Sequence, residues 1–156
     1  MISLPIIMAA LMAMPAPSGT VPASGPVPIP AASYDSIRIV PEIPLSQADG
    51  LILRRVEITE DILGIGFAYS GGCQRHTCQL VTTGVIKPSS PPQLDVYLLH
   101  DAHGDVCEAM LIGGASFNIS SLKTLAGGTP GDRTLIINLM FPRDSTSQWE
   151  PLLYEF

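Results

Sequence analysis

From Ser36 onward, short runs of Ile, Leu, Val and Tyr recur, and each is closed off by Gly, Pro, Ser or Asp. Apolar runs of a few residues with such borders read as β-strands, because a helix needs a longer segment whose apolar positions return every third or fourth residue. The pattern predicts strands at Ser36–Val40, Leu51–Ile58, Gly64–Tyr69, Thr77–Thr82, Leu94–Asp101, Asp105–Ile112 and Thr134–Phe141, with a weaker one at Leu152–Phe156. A helical turn is expected from Ser120 or Ser121 through Leu122, Lys123 and Leu125 to a stop at Gly127-Gly128, since Ser caps helices and Gly ends them. The fold class is therefore mostly β: an antiparallel sandwich or partly open barrel of seven to eight short strands with at most one short helix.

One local unit looks like a hairpin. Leu94–Asp101 and Asp105–Ile112 are joined by Ala102-His103-Gly104, with Gly104 where a positive φ comes most easily. By the two-residue repeat, Leu94, Val96, Leu98 and His100 share one face of the first run, and Cys107, Ala109 and Leu111 share one of the second. Pairing of the two runs would let His100 and Cys107 meet on an inner face, if the turn sets that register.

Ahead of the strands lie two segments of another character. Ile2 to Met14 is an apolar stretch of the length of a signal-peptide core, followed by small residues at Val21-Pro22-Ala23 and Ala16-Pro17-Ser18 that suit a signal peptidase. No Lys or Arg precedes it, and the first basic residue is Arg38. Between Pro15 and Ala32 six prolines alternate with Ala, Ser, Gly and Val, a composition that favours extended, solvated backbone. The expected organisation is a signal peptide at 1–23, a Pro-rich linker at 24–33 and a β domain at 34–156. The protein is expected to be exported, to the periplasm or beyond. With no Cys before Cys73, a lipid-modified N-terminus is not expected.

Composition narrows the partners. Eight basic against fourteen acidic residues leave a net charge of −6, and the basic ones stand singly apart from Arg54-Arg55. No stripe exists to neutralise phosphates, so nucleic acid is not an expected partner. No apolar run reaches the length of a bilayer span, so no transmembrane segment is expected after processing. The partner is left as a protein or a small molecule.

The chemistry is concentrated in one stretch. All three Cys and all three His lie between Cys73 and Cys107, as Gly71-Gly72-Cys73-Gln74-Arg75-His76-Thr77-Cys78 and then His100-Asp101-Ala102-His103-Gly104-Asp105-Val106-Cys107. Three readings fit those residue types. A Cys73–Cys107 disulfide would close a loop of about 35 residues and stabilise the fold by ~4 kcal/mol in the chain-entropy picture. A metal site would use Cys73, His76, His100 and Cys107, with zinc suited to the four and copper(I) to the softer subset. A thiol enzyme would use Cys73 or Cys78 as nucleophile and His76 or His100 as base, oriented by Asp101 or Asp105. Gly71-Gly72 would then let backbone N–H groups approach an oxyanion, although a bend between strands explains the pair equally well. His103 reads as a solvated turn residue, and Asp105 as an acceptor of turn hydrogen bonds.

The pairing of a GCxxH segment with an H-x4-D-x-C-E segment resembles an uncharacterised group of small exported bacterial β-domain proteins, over roughly Tyr69 to Lys123. The resemblance marks Cys73, His76, His100, Asp105, Cys107 and Glu108, and implies no established activity. Cys78 departs from the pattern, where an apolar residue is expected, and this makes it the unpaired thiol. The function expected is binding or structural, through a staple or a metal at the patch. A secreted thiol- or metal-dependent enzyme using the same residues is the alternative.

Overall fold

Strand β4, Ile62–Gly71, shows why these sequences pair face to face: Leu63, Ile65 and Phe67 are buried, while Ile62, Gly64 and Gly66 between them are only half-buried. The computed structural model describes residues 34–127, 133–141 and 149–156. The leader read at 1–23 and the linker at 24–33 lie outside the described residues, as does Gly128 of the expected helix stop.

The remaining strands are β1 (Asp35–Ser36), β2 (Arg38–Ile39), β3 (Ile52–Thr59), β5 (Thr77–Thr82), β6 (Ile86–Lys87), β7 (Gln93–Asp101), β8 (Ala109–Asn118), β9 (Thr134–Met140) and β10 (Leu152–Glu155). They form two sheets. The smaller has four strands in the order β1-β8-β4-β3; the larger has six, β10-β9-β7-β5-β2 with β6 also against β7. Neither closes into a barrel, so the sandwich form of the expected fold is the one adopted. The sheets are mixed, because β1 with β8, β2 with β5 and β7 with β9 pair in parallel. The core between them is built from the inward positions of each strand. Leu53, Leu63, Ile65, Phe67 and Phe117 come from the smaller sheet, and Leu80, Leu94, Val96, Leu98, Leu135, Ile137, Leu139 and Tyr154 from the larger. Each of these side chains contributes roughly 2 kcal/mol by leaving water.

Seven of the expected strands recur, Thr77–Thr82 with the expected bounds and six with shifted ends, and Ser36–Val40 divides into β1 and β2, through which the chain changes sheets. Helix α1, Ser121–Ala126, forms where expected, with Leu122 buried. Ser120 makes no side-chain cap, however, and Asn118 Oδ1 instead accepts from Ser120 N–H at 2.9 Å and from its hydroxyl at 2.6 Å.

The expected hairpin does not form. Leu94–Asp101 pairs with β5 and β9 in the larger sheet, while the second run belongs to β8, starts at Ala109 rather than Asp105, and pairs with β4 in the smaller. His103 and Gly104 do take positive φ, 51° and 71°. The turn they make carries the chain from one sheet to the other, so both runs can direct an apolar face into the same core from opposite sides. His100 and Cys107 accordingly sit on no common strand pair.

Candidate functional site: a clasp where the chain changes sheets

The chain crosses between the sheets twice at one end of the sandwich. Gly71, the last residue of β4, pairs with Ala109, the first of β8. Thr77, the first of β5, pairs with Asp101, the last of β7. The crossings at 72–76 and 102–108 therefore leave and return side by side. A disulfide joins them, Cys73 to Cys107, with Cα atoms 5.9 Å apart.

Asp105 is the hub of this end. Its Oδ2 accepts the backbone N–H of Gly72, Cys73 and Gln74 at 2.8, 2.9 and 2.9 Å, and its Oδ1 accepts that of Cys107 at 2.9 Å. His76 Nε2 lies 3.1 Å from the same Oδ2, and the two side chains are 5% and 0% exposed. The N–H of Cys107, then those of Gln74, the His76 ring and Cys73, hold the Asp105 carboxyl well below the usual carboxylate range against the opposing pull of burial.

The two glycines before Cys73 make room for this. A Cβ on Gly71 would lie 2.6 Å from His76 ring atoms and 2.9 Å from Asp105 Oδ2, and Gly72 has φ +122°. The bend and the row of anion-seeking N–H groups read from Gly71-Gly72 are thus both present, but the anion is the chain's own carboxylate.

A second link runs inward. His76 Nδ1 is 2.9 Å from His100 Nε2. Where His76 carries a single proton, on the Nε2 that faces the Asp105 carboxylate, Nδ1 accepts and His100 donates from Nε2. His100 Nδ1 is then a bare lone pair, and it has no hydrogen-bond partner among the described residues. His100 is 1% exposed, and burial, aided by the neighbouring His76, lowers its imidazole below the ordinary value. Tyr69 flanks both rings, with centroids 4.6 Å from His76 and 5.3 Å from His100.

Of the residues read as a metal set, Cys73 and Cys107 are joined to each other and His76 and His100 to each other. Among the described residues, the metal-ligating atoms that gather within 4.8 Å are the sulfurs of Cys73 and Cys107 with a carboxylate oxygen of Asp105; neither imidazole is among them. Cys78 is the free cysteine, opposite His100 in the β5–β7 ladder, and burial pushes its thiol up to about 11. His103 and Glu108 are exposed, outside this network.

Asp49 and Tyr69 take part without having been singled out in the sequence. The Asp49 carboxylate accepts Ala102 N–H at 2.7 Å, and its N–H donates to the His100 carbonyl at 2.7 Å. A separation of 53 residues between Asp49 and Ala102 gives no spacing signal that could have disclosed the pair.

Beside the clasp, a cleft of about 470 Å³ opens between β8 and β5, reaching Phe67, Tyr69 and His76. Among the described residues no helix is long and apolar enough to cross a membrane.

Fold and site together define a β-sandwich domain whose two sheet crossings are locked by a disulfide and a buried carboxylate. The chain belongs to the family of the NigD-like C-terminal beta sandwich domain, which it matches over residues 47–140. A search of curated proteins finds no match. Among solved structures it is similar to a NigD-like immunity protein from Bacteroides caccae, with TM-score 0.52 and 15% identity over 80% of this chain and 65% of that one. It is also similar to a protein of unknown function from Bacteroides vulgatus, with TM-score 0.51 and 12% identity over 79% of this chain and 56% of that one. The chain thus spans less than two thirds of the length of either, and at these identities the likeness is one of fold.

Proposed function

We propose that this chain is an exported binding domain, and that its Cys/His patch is the structural clasp that holds the binding surface in shape. One observation carries this reading: the reactive groups of the patch are engaged with one another. Cys73 is bonded to Cys107, both oxygens of Asp105 and both nitrogens of His76 are hydrogen-bonded, and the one free thiol, Cys78, is poorly ionised. A nucleophile needs the opposite, a lowered pKa and an adjacent base free to act. The disulfide favours an oxidising compartment, which accords with the leader read at 1–23. The description of the B. caccae relative as an immunity protein fits action by binding.

Intact-mass analysis of the natively expressed, exported protein tests it in one sample, alkylated after denaturation but without reduction. The expected mass corresponds to a chain beginning between Pro17 and Ser24 with a single label, on Cys78. Three labels on exported protein would overturn the clasp. Three labels on protein that retains zinc or copper in its native spectrum would transfer Cys73, His76, His100 and Cys107 to the metal reading.

A further inference from the structure

Strand β8 is paired along its whole length on one side only. Its partner there is β4, from Ala109 opposite Gly71 to Asn118 opposite Ile62. On the other side, among the described residues, β1 covers just Phe117 and Asn118. The direction of the free groups follows from two hydrogen bonds. The Asn118 carbonyl accepts Ile37 N–H on the β1 side, whereas Ile119 N–H turns the other way, to the carbonyl of Asp61. Backbone groups alternate sides along a strand, so Met110, Ile112, Gly114 and Ser116 direct their N–H and C=O groups to the open edge.

Such an edge is ordinarily blunted by a charge, a proline or a bulge, because its free groups are a template for another strand. The stretch Ala109–Ser116, Ala-Met-Leu-Ile-Gly-Gly-Ala-Ser, contains no charged residue and no proline, and its pairing with β4 runs without a register shift. Met110 and Ile112 on its outward face are 63% and 82% exposed. Beneath the edge lies the cleft of about 470 Å³, and a second hollow of about 450 Å³ continues beside it along β5.

We infer that the open edge of β8 binds an extended segment of a partner polypeptide, which adds to the smaller sheet as a further strand. This rests on the binding role proposed above and names its surface. Main-chain hydrogen bonds would hold the segment to the even-numbered residues of β8, and its alternate side chains would descend into the cleft. The open volume selects among strands. A second copy of β8 would present Leu111, Gly113 and Ala115 inward, too little to fill it, whereas large apolar or aromatic side chains would pack on Phe67 and Tyr69. Charge orients the segment. Arg75, exposed and without an ion pair among the described residues, stands at the clasp end, and Asp35 at the other, beside Phe117. The partner strand therefore carries an acidic residue toward Arg75 and a basic one toward Asp35.

The test selects phage-displayed random dodecapeptides on the oxidised full chain, then measures a synthetic consensus peptide by calorimetry and by amide exchange. Expected are sequences that alternate large and small residues, and slowed exchange at Met110, Ile112, Gly114 and Ser116 on binding. Ile112→Pro removes one outward N–H while leaving the β4 ladder intact, and should weaken binding roughly tenfold or more, as losing one or two main-chain hydrogen bonds implies. Ile112→Thr keeps the donor and should stay within about twofold. Met110→Pro repeats the test should Ile112→Pro fold poorly. A peptide indifferent to both prolines, no selected peptide at all, or protection of those four amides already in the free protein would each overturn the inference. Thiol labelling of the same sample separates the two proposals: with one free thiol and no edge binding, the strand inference alone falls.

Discussion

Asp105 and Gly72, 33 residues apart in sequence, meet through a 2.8 Å hydrogen bond from a main-chain N–H to a carboxylate oxygen that also takes the next two N–H groups. The crossings are held by this ionised form. Because the folded pKa is depressed, the stabilisation is fully present above the unfolded carboxylate value of 3.8 and is lost as pH falls through the lower folded value. Urea midpoints should therefore drop steeply below about pH 4. Asp105→Asn should be less stable at neutral pH, with a flatter acid limb; an unchanged acid limb would show that the loss arises elsewhere.

Removing the covalent half of the clasp acts on the unfolded chain. With 34 residues separating the cysteines, Cys73→Ser with Cys107→Ser should cost about 4 kcal/mol of unfolding free energy. Chemical denaturation of the double variant against the oxidised protein measures it. A cost near zero would mean that Asp105 alone holds the crossings.

His100 provides a second pH dependence at higher pH. Its folded pKa lies below the unfolded 6.5, so stability is complete above about pH 6.5 and declines as pH falls toward the folded value. At its steepest the decline is one proton's worth, about 1.4 kcal/mol per pH unit. His100→Gln can still donate to His76 and does not titrate. Thermal melts from about pH 7 to pH 5 should flatten in this variant, and an identical slope would show that the effect does not come from His100.

Cys78 should react slowly. A thiol pushed from 9.0 up to about 11 has roughly a hundredfold less thiolate at neutral pH, before any steric protection is counted. Iodoacetamide labelling followed by mass spectrometry should show modification that waits on unfolding. Rapid labelling of the folded protein would reopen the case for a thiol nucleophile.

Several of these relationships were legible in the residues. The two-residue repeat put His100 on the face of Leu94, Val96 and Leu98, where it is buried, and Thr77–Thr82 has the expected bounds. Cys73 and Cys107 were readable as partners and Cys78 as the odd thiol. What misled was Gly104. A positive-φ turn between two apolar runs looks the same whether the runs pair with each other or enter opposite sheets, because local alternation carries no information on which sheet a strand joins. The stretch Asp105-Val106-Cys107-Glu108, with an acidic residue at each end, was the available signal, since it is long enough to span the layers. The role of Asp105 was underread for a related reason: its partners at 72–74 are backbone groups, which leave no mark on residue identity.

The disulfide also changes what a protease can do to this molecule. Everything from Cys73 to Cys107, including β5, β6 and β7, forms a covalently closed ring whose two ends sit side by side just past the edge where Gly71 and Ala109 of the smaller sheet pair. A single cut within that ring, for instance after the exposed Arg75, opens it without releasing a fragment. The nicked chain keeps both halves of its larger sheet until a reductant separates them.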